Sequence, residues 1–466
     1  MVNRATGRQE NDRSDWPSNC WLATAMPNGK KDCEIAIIGA GAAGLAAASL
    51  LALQGKSVRC LEATGRIGGR IRTLREPGCS IPVELGAEFV HGRPPELWNI
   101  VKAHGLAIYE HSAGAVHIEH GRVRASGETG DAADRLLSGA AAKKNSRDRS
   151  LADLAKKSRQ PKDQKEWAVT HLEGFNAARR ERISVKALQK DAEAADEIEG
   201  ERAFRILNGY DSVPLSMLNS IPNTWEIVRL NQVVEEVQWQ PGDVRMQIRS
   251  NVDGRTSSLR CSNLIVTVPL GILQAEPGSE GAIRFDPPPS AVLNAAATLE
   301  FGQVYRVNFR FDQPFWENDP RLRSGGFWVS QERLFPTWWS SHPVVAPVLT
   351  GWSAGTAGEA LLGFERPDII AAAVGSLSRI LNRKIPRVIE AYFHDWQADP
   401  FYRGAYSYVP VHGLPARKAL CRPVENTLFF AGEATDPNGN GGTVHGAIAS
   451  GRRAANQVLK RKPRGI

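Results

Sequence analysis

The chain has 466 residues, 42% of them hydrophobic and 23% charged, the balance of a folded protein of two or three domains, which excludes a disordered chain, a collagen-like fibre or a coiled coil. Its formal net charge is +8, a value that by itself would suit a nucleic-acid or membrane-surface protein. The charge is local, however: the last fifteen residues hold six Lys/Arg and no acid, residues 143–190 hold fourteen Lys/Arg against six Asp/Glu, and the remainder sums to −6. The two tracts read as a solvated helix face and a tail, so no nucleic-acid partner is expected.

Met1 to Lys31 mixes charges with Pro, Asn and Ser and lacks the apolar run of a secretory signal. Residues 1–32 therefore read as a disordered leader, with a cytoplasmic location as the default. Six cysteines, at 20, 33, 60, 79, 261 and 421, include no C-x-x-C pair. Neither a zinc site nor a thioredoxin-like motif is expected, and no metal is called for.

Ile35 to Leu53 is 19 residues without a charge, long enough for a transmembrane helix. Its internal order argues otherwise, and no membrane span is expected. Glu34-Ile35-Ala36-Ile37-Ile38 is a short β-branched run, the pattern of a buried parallel strand. Gly39-Ala40-Gly41-Ala42-Ala43-Gly44 follows, then helix formers to Leu53, then Val58 to Glu62 as a second strand. This is a βαβ unit with a dinucleotide fingerprint. Gly39 permits the tight turn, Gly41 admits a pyrophosphate to the backbone, and Gly44 lets helix and sheet approach; Ala43 lies in the same turn. The helix N-terminus favours the phosphates, and Glu62, 18 residues after Gly44, is placed for the ribose hydroxyls. Gly65-Arg66-Ile67-Gly68-Gly69-Arg70 adds glycines for a second close approach, with Arg66, Gly69 and Arg70 as candidate cofactor contacts.

From this point the sequence resembles the flavin-containing amine oxidases: monoamine, polyamine and spermine oxidases and lysine-specific histone demethylases, and most of all their bacterial polyamine-oxidase-like members. The resemblance runs from Cys33 to Lys460 in ordered blocks. Glu84 to Gly92 resembles the segment that passes the flavin ring, which implies Gly86, Ala87 and Glu88 as cofactor contacts and His91 as an active-site histidine. Leu230 to Val237 resembles the strand that meets the adenine, with Val234 at the contact. Phe301-Gly302 to Phe315-Trp316 resembles the strand pair that carries the family's active-site lysine. Trp396 and Arg403 to Tyr408 resemble the flavin-facing loop, with Trp396 and Tyr406 in the pocket. Leu428 to Thr435 and Thr443 to Ala447 resemble the last block, which implies Gly432, Glu433 at the ribityl chain, and Thr443 and Val444 near the pyrimidine edge.

The implied fold is α/β, a Rossmann-type FAD-binding domain interleaved with a mixed-sheet and helical substrate-binding domain. The first gathers 33–96, 222–288 and 405–460; the second gathers 97–221 and 289–404, with a helical insert over about 131–207, and 461–466 is a basic tail. Residues 321–353, rich in Trp and Phe, read either as pocket wall or as ordinary sheet core. Three departures from the family pattern bear on mechanism. The usual lysine is Arg306, which stays protonated and cannot serve as a neutral base. The position that carries covalent flavin in monoamine oxidases is Ala405, which implies non-covalent FAD. Asn438 to Gly442 stands where a second aromatic wall is common. The implied function is oxidation of a C–N bond in a small-molecule amine, with hydride transfer to flavin N5, hydrolysis of the imine, and O2 reduced to hydrogen peroxide. Arg306, His91, Tyr406 and Trp396 are the candidate catalytic residues. A dehydrogenase or desaturase of the same fold with poor oxygen reactivity is the alternative, and a non-enzymatic binding module is the remaining one. Neither the particular amine nor the oligomeric state is legible.

Overall fold

The apolar run at Ile35 resolves into the centre of a five-stranded parallel sheet. In the computed structural model, which describes residues 30–111, 114–125, 129–141, 147–323 and 325–460, strand Ile35–Ile38 is buried at all four positions. It pairs with Val58–Leu61 on one side and Asn263–Val266 on the other; Val228–Arg229 and Leu428–Phe430 complete the sheet. Helix Ala42–Leu53 follows the glycine turn and buries eight of its twelve residues. The absence of charge in this stretch is thus explained by burial of the strand and helix in the protein core. Among the described residues no helix is long and apolar enough to cross a membrane. The leader to residue 29, residues 142–146 and the tail 461–466 lie outside the described residues.

Close backbone contact holds this layer together. Gly39 has φ +101°, a conformation that favours glycine, and a Cβ on Gly44 would lie 1.8 Å from the Gly39 carbonyl oxygen. Helix Val444–Leu459 packs on Ala42–Leu53 so closely that a Cβ on Gly451 would lie 2.1 Å from the Ala43 carbonyl oxygen. A four-stranded sheet, Thr256–Cys261, Asp243–Ser250, Gln232–Gln240 and Arg284–Asp286, lies alongside in the same hydrophobic cluster as the outer face of the parallel sheet.

The other half is built on a seven-stranded mixed sheet. Its order is Glu390–Phe393, Val304–Arg310, Val348–Ala354, Thr337–Trp339, Phe327–Val329, Ala115–Glu119 and Arg122–Ala125, with one parallel pair. Helix Arg366–Leu381 covers it, burying Ile369, Ala373, Leu377 and Ile380 at helical spacing against Phe309, Trp316 and Trp338. Helices Thr129–Ala141, Leu151–Lys157, Lys162–Phe175 and Val185–Asp196 form a separate core around Leu136, Leu154, Val169 and Leu188. Ser150 and Ser184 cap two of them, accepting from the backbone N–H of Asp153 at 3.1 Å and Ala187 at 3.0 Å.

The helical insert is shorter than expected. Ala203–Ile206 is a strand, buried throughout, between Val90–His91 and Ile108–His111. A four-residue run with three apolar positions cannot be assigned by periodicity, and here two partner strands decide it. Phe315–Asn318 is a 3-10 turn, so strand Val304–Arg310 pairs with Val348–Ala354 instead of with its nearest neighbour in sequence.

A test of the backbone contact between the two long helices is Gly451→Ala. Alanine inside an exposed helix ordinarily stabilises; here overpacking should cost about 1–3 kcal/mol. A lowered midpoint in thermal unfolding is expected, and an unchanged or raised one would count against the contact.

Candidate active site

Two glycine loops face each other at the start of helix Ala42–Leu53. Gly41 and Gly68 form an isolated parallel bridge, and a Cβ on Gly69 would lie 3.3 Å from the Gly41 Cα. A side chain on either would fill the gap. The helix has no side-chain cap and no acid in its first turn, so its first N–H groups are open to an anion. Glu62, buried at the end of its strand, accepts from the Ala40 N–H at 2.8 Å and from Thr64 N–H at 3.0 Å and Oγ1 at 2.8 Å. It braces the turn. Val234 is buried in strand Gln232–Gln240, at the point where the register with Asp243–Ser250 shifts. The cradle fits a dinucleotide: small residues where phosphates approach, an open helix end, and an acid at the strand tip.

The two arginines of the second loop are engaged with protein groups. Arg66 donates to the Ile71 carbonyl at 3.0 Å and to the Tyr402 hydroxyl at 3.1 Å, with its guanidinium near the Trp396 and Tyr402 rings. Arg70 reaches Glu433 at 2.9 Å and the Ala405 carbonyl at 2.5 Å. Buried Glu433 also accepts from Ser407 Oγ at 2.6 Å and from the Gly442 N–H at 2.9 Å. Burial raises its pKa, but Arg70, Ser407 and Gly442 outweigh burial and hold the carboxylate below its usual range. Gly432 has φ +124° and leads into this turn. Thr443 caps helix Val444–Leu459 by accepting from the Gly446 N–H at 3.0 Å, which places Val444 in the first turn.

Trp396 is 4% exposed and donates to the Leu85 carbonyl at 2.8 Å. Its ring lies against Gly86, where a Cβ would be 3.2 Å from it. From Gly86 the chain runs through Ala87 to Glu88, and Glu88 is the anchor of the region. Its carboxylate is fully buried and pairs with Arg205 at 2.5 Å and with Arg306, and it accepts from Trp339 Nε1 at 2.9 Å. Arg306 also donates to the Gly86 carbonyl at 2.8 Å and to Asn308 Oδ1 at 3.3 Å. A void large enough for about one water lies between Glu84, Glu88, Arg205 and Arg306. Glu84 accepts from Thr73 Oγ1 and the Tyr210 N–H, both at 2.7 Å, and burial raises its pKa to about 7 despite those bonds.

At its His91 end the Gly86–His91 segment enters a cluster of aromatic rings. His91 meets Phe175 edge-on at 5.5 Å and Phe89 at 6.1 Å. Phe89 in turn approaches Phe327 at 5.5 Å and Trp339 at 5.7 Å. Tyr406 donates its hydroxyl to the Phe175 carbonyl at 2.7 Å, and a Cβ on Gly442 would lie 3.3 Å from its ring. Burial pushes the Tyr406 hydroxyl pKa up, followed by the effect of Glu433. His445 Nε2–H donates to Asn440 Oδ1 at 3.1 Å. Burial lowers the pKa of His91 to about 4, and burial then His91 lower that of His445 to about 4, so both are neutral at physiological pH.

The structure therefore groups His91 and Tyr406 around Phe175, Trp396 and Gly86 beside the glycine loops, and Arg306 in an ion-pair cluster with Glu88. Sequence reasoning missed Arg205, Phe175 and His445. Arg205 had a usable signal, a charge inside the apolar strand A-F-R-I. Phe175 lies in the helical insert and had none.

A parallel sheet with a glycine cradle fits a dinucleotide cofactor, and a cluster of aromatic rings packs beside it. Comparison with known proteins makes this specific. Residues 42–459 match the model of the flavin containing amine oxidoreductase family, and the chain belongs to that family. Polyamine oxidase 4 of Oryza sativa subsp. japonica is 28% identical, over 94% of this chain and 91% of its own length. Histone demethylase-like protein A of Aspergillus fumigatus is 30% identical over 64% of this chain, and a possible lysine-specific histone demethylase 1 of Drosophila melanogaster is 29% identical over 63%. The chain spans only 28% and 34% of the length of those two demethylase relatives. Among solved structures, wild-type putrescine oxidase bound to putrescine superposes with a TM-score of 0.77 at 22% identity, covering 92% of this chain and 99% of that one. Cyclohexylamine oxidase from Brevibacterium oxydans gives 0.75 at 20%, covering 92% and 100%. These two share the fold.

The Glu84 environment gives a pH test. Its folded pKa of about 7 lies above the ordinary carboxylate value of 4.5. Between those values the folded state holds the proton more tightly, so stability from this group falls as pH rises through the interval, by about 3 kcal/mol at most. Chemical denaturation of wild type and Glu84→Gln from pH 4.5 to 8 should show a steeper loss in the wild type. Parallel curves would place the Glu84 pKa elsewhere.

Proposed function

We propose that the chain is a FAD-dependent amine oxidase, in which 33–96, 222–288 and 405–460 form the FAD-binding domain and 97–221 and 289–404 the substrate-binding domain. The observation that carries the reading is the glycine cradle and the aromatic cluster meeting at one segment, Gly86 to His91. Gly39, Gly41, Ala43, Gly44 and Glu62 would hold the adenine-ribose and pyrophosphate end, and Gly86, Trp396, Thr443 and Val444 would border the ring. When bound, the flavin supplies the two-electron acceptor at N5 for a hydride equivalent from the amine α-carbon, and O2 then takes the electrons as hydrogen peroxide.

The protein's own residues supply orientation and desolvation. Neutral His91 and His445 and the surrounding rings favour the uncharged amine, the form that donates hydride. The imine so formed leaves to water as a carbonyl compound and an amine or ammonia. Arg306 is engaged with Glu88 and the Gly86 carbonyl, and its role is to hold the Gly86–Glu88 segment in place. A cytoplasmic location and O2 as the oxidant belong to the same proposal. The second reading, a dehydrogenase with poor oxygen reactivity, is favoured by that same engagement, because no lysine stands at the family's usual position.

Ala405 offers no nucleophilic side chain, and its carbonyl is bound by Arg70, which supports non-covalent cofactor. Acid precipitation should release all flavin to the supernatant; flavin retained in the pellet would contradict this. Peroxide measured against amine consumed in air separates oxidase from dehydrogenase. One peroxide for each amine oxidised is expected, and a yield far below that selects the dehydrogenase. Arg306→Met should slow flavin reduction or reoxidation in single-turnover measurements, and two unchanged half-reactions would remove Arg306 from the site.

A further inference from the structure

His394 stands against Trp396, and both of its ring nitrogens are engaged. It follows strand Glu390–Phe393 and meets the Trp396 ring edge-on, with 4.3 Å between centroids at an interplanar angle of 78°. Its Nδ1 lies 2.8 Å from Arg72 Nη1, and its Nε2 lies 3.0 Å from Asp399 Oδ2. A guanidinium only donates, so Nδ1 accepts with its lone pair and Nε2–H donates to Asp399. The partners thus select one neutral tautomer. Burial, then the neighbouring Arg66 charge, lower the Arg72 pKa, and the imidazole lone pair gives that guanidinium an acceptor in return.

These contacts close a circuit through three separate parts of the chain. The Arg72 carbonyl accepts from the Leu85 N–H at 2.8 Å, and the Leu85 carbonyl accepts from Trp396 Nε1 at 2.8 Å. Trp396 packs on His394, and His394 returns to the Arg72 side chain. The residues after the second glycine loop, the Leu85–Gly86 segment and the loop after residue 393 are locked to one another in this way. Asp399 passes the constraint onward. Its side chain accepts from the Phe401 N–H at 3.0 Å, and its carbonyl accepts from the N–H groups of Tyr402 at 3.1 Å and Arg403 at 3.0 Å. The Gly404 N–H then returns to the Trp396 carbonyl at 2.9 Å, and the turn leads into Ala405 and Tyr406. Arg403 has φ +61°, a conformation that a bulky side chain holds only where its surroundings impose it.

We propose that His394 is a positioning residue of the cofactor site: by bridging Arg72 and Asp399 it fixes the Trp396 ring against Gly86 and holds the turn to Tyr406, and so shapes the wall that a bound flavin ring meets. The assignment rests on the flavin-dependent reading above and adds a residue to it. An imidazole suits the place because one flat ring offers an acceptor and a donor at separate positions and packs edge-on against the indole. Without those two bonds the Trp396 ring and the turn are no longer tied to the Leu85–Gly86 segment from this side.

The test uses the full chain loaded with FAD. It reads the visible circular dichroism of the bound flavin and its rate of release on dilution, neither of which needs a substrate. His394→Leu removes both hydrogen bonds and should speed release by about tenfold, the scale of one charge-assisted hydrogen bond, with an altered flavin dichroism. His394→Gln keeps an acceptor and a donor, and should bring release back to within about twofold of wild type. Arg72→Met spares the backbone bond to Leu85 and should shift both readouts in the same direction as His394→Leu. The double variant should release flavin no faster than His394→Leu, because the two residues act through one contact. Three results would each overturn the role and leave the cofactor reading standing: wild-type release and dichroism in His394→Leu, a Gln variant no better than the Leu one, or effects that multiply in the double variant. Should His394→Leu fail to fold, Arg72→Met decides alone, and its unchanged release and dichroism overturn the role. A purified chain that takes up no FAD overturns both.

Discussion

A carboxylate sealed between two guanidiniums sets the geometry on which the candidate site depends. Glu88, with 2% side-chain exposure, is held by Arg205 and Arg306. Removing water from such an ion costs several kcal/mol, so none of the three charges is tolerable without the others. They come from three elements: the segment after Gly86, strand Ala203–Ile206 and strand Val304–Arg310. Because Arg306 also grips the Gly86 carbonyl, the backbone between the cradle and the aromatic cluster is fixed at two points. Trp339, bonded to the same carboxylate, carries that order into the aromatic cluster.

The two sides of this segment differ in kind. Towards the cofactor cradle the protein presents bare backbone and an open helix end. Towards the aromatic cluster it presents rings and neutral imidazoles. Charge is kept in the supporting layer, where Arg70–Glu433, Arg180–Glu173 and the Glu88 cluster each close on themselves. Ionic groups thus act as scaffold around the aromatic cluster. A low local dielectric follows, which strengthens the remaining polar contacts.

Legibility in the sequence followed the distance over which an interaction acts. The turn from Gly39 to Gly44 was readable because its cause is local: β-branched strand, glycines where a Cβ would collide, helix formers after. The family blocks were readable in order, and they carried the fold class. The strand at Ala203 was not, since so short a segment acquires its conformation from partners more than ninety positions away. Arg306 could be located but not interpreted, because its partner Glu88 lies 218 residues earlier. The +8 charge proved to be the least informative number in the sequence; its first tract supplies Arg179, Arg180 and Arg182 to specific ion pairs with Glu359, Glu173 and Glu300.

The contact between helices Ala42–Leu53 and Val444–Leu459 has a consequence for biosynthesis. The first glycine turn is among the earliest parts of the core to be made, but the helix that backs it, and the Thr443 cap beside it, are among the last. Strand Leu428–Phe430 of the same sheet is equally late. Early segments must therefore wait with apolar strands exposed while several hundred residues are translated, a situation that invites chaperone engagement. The cradle is complete only once the chain to Leu459 is available to pack behind it, so its assembly depends on joining segments that lie far apart in the sequence.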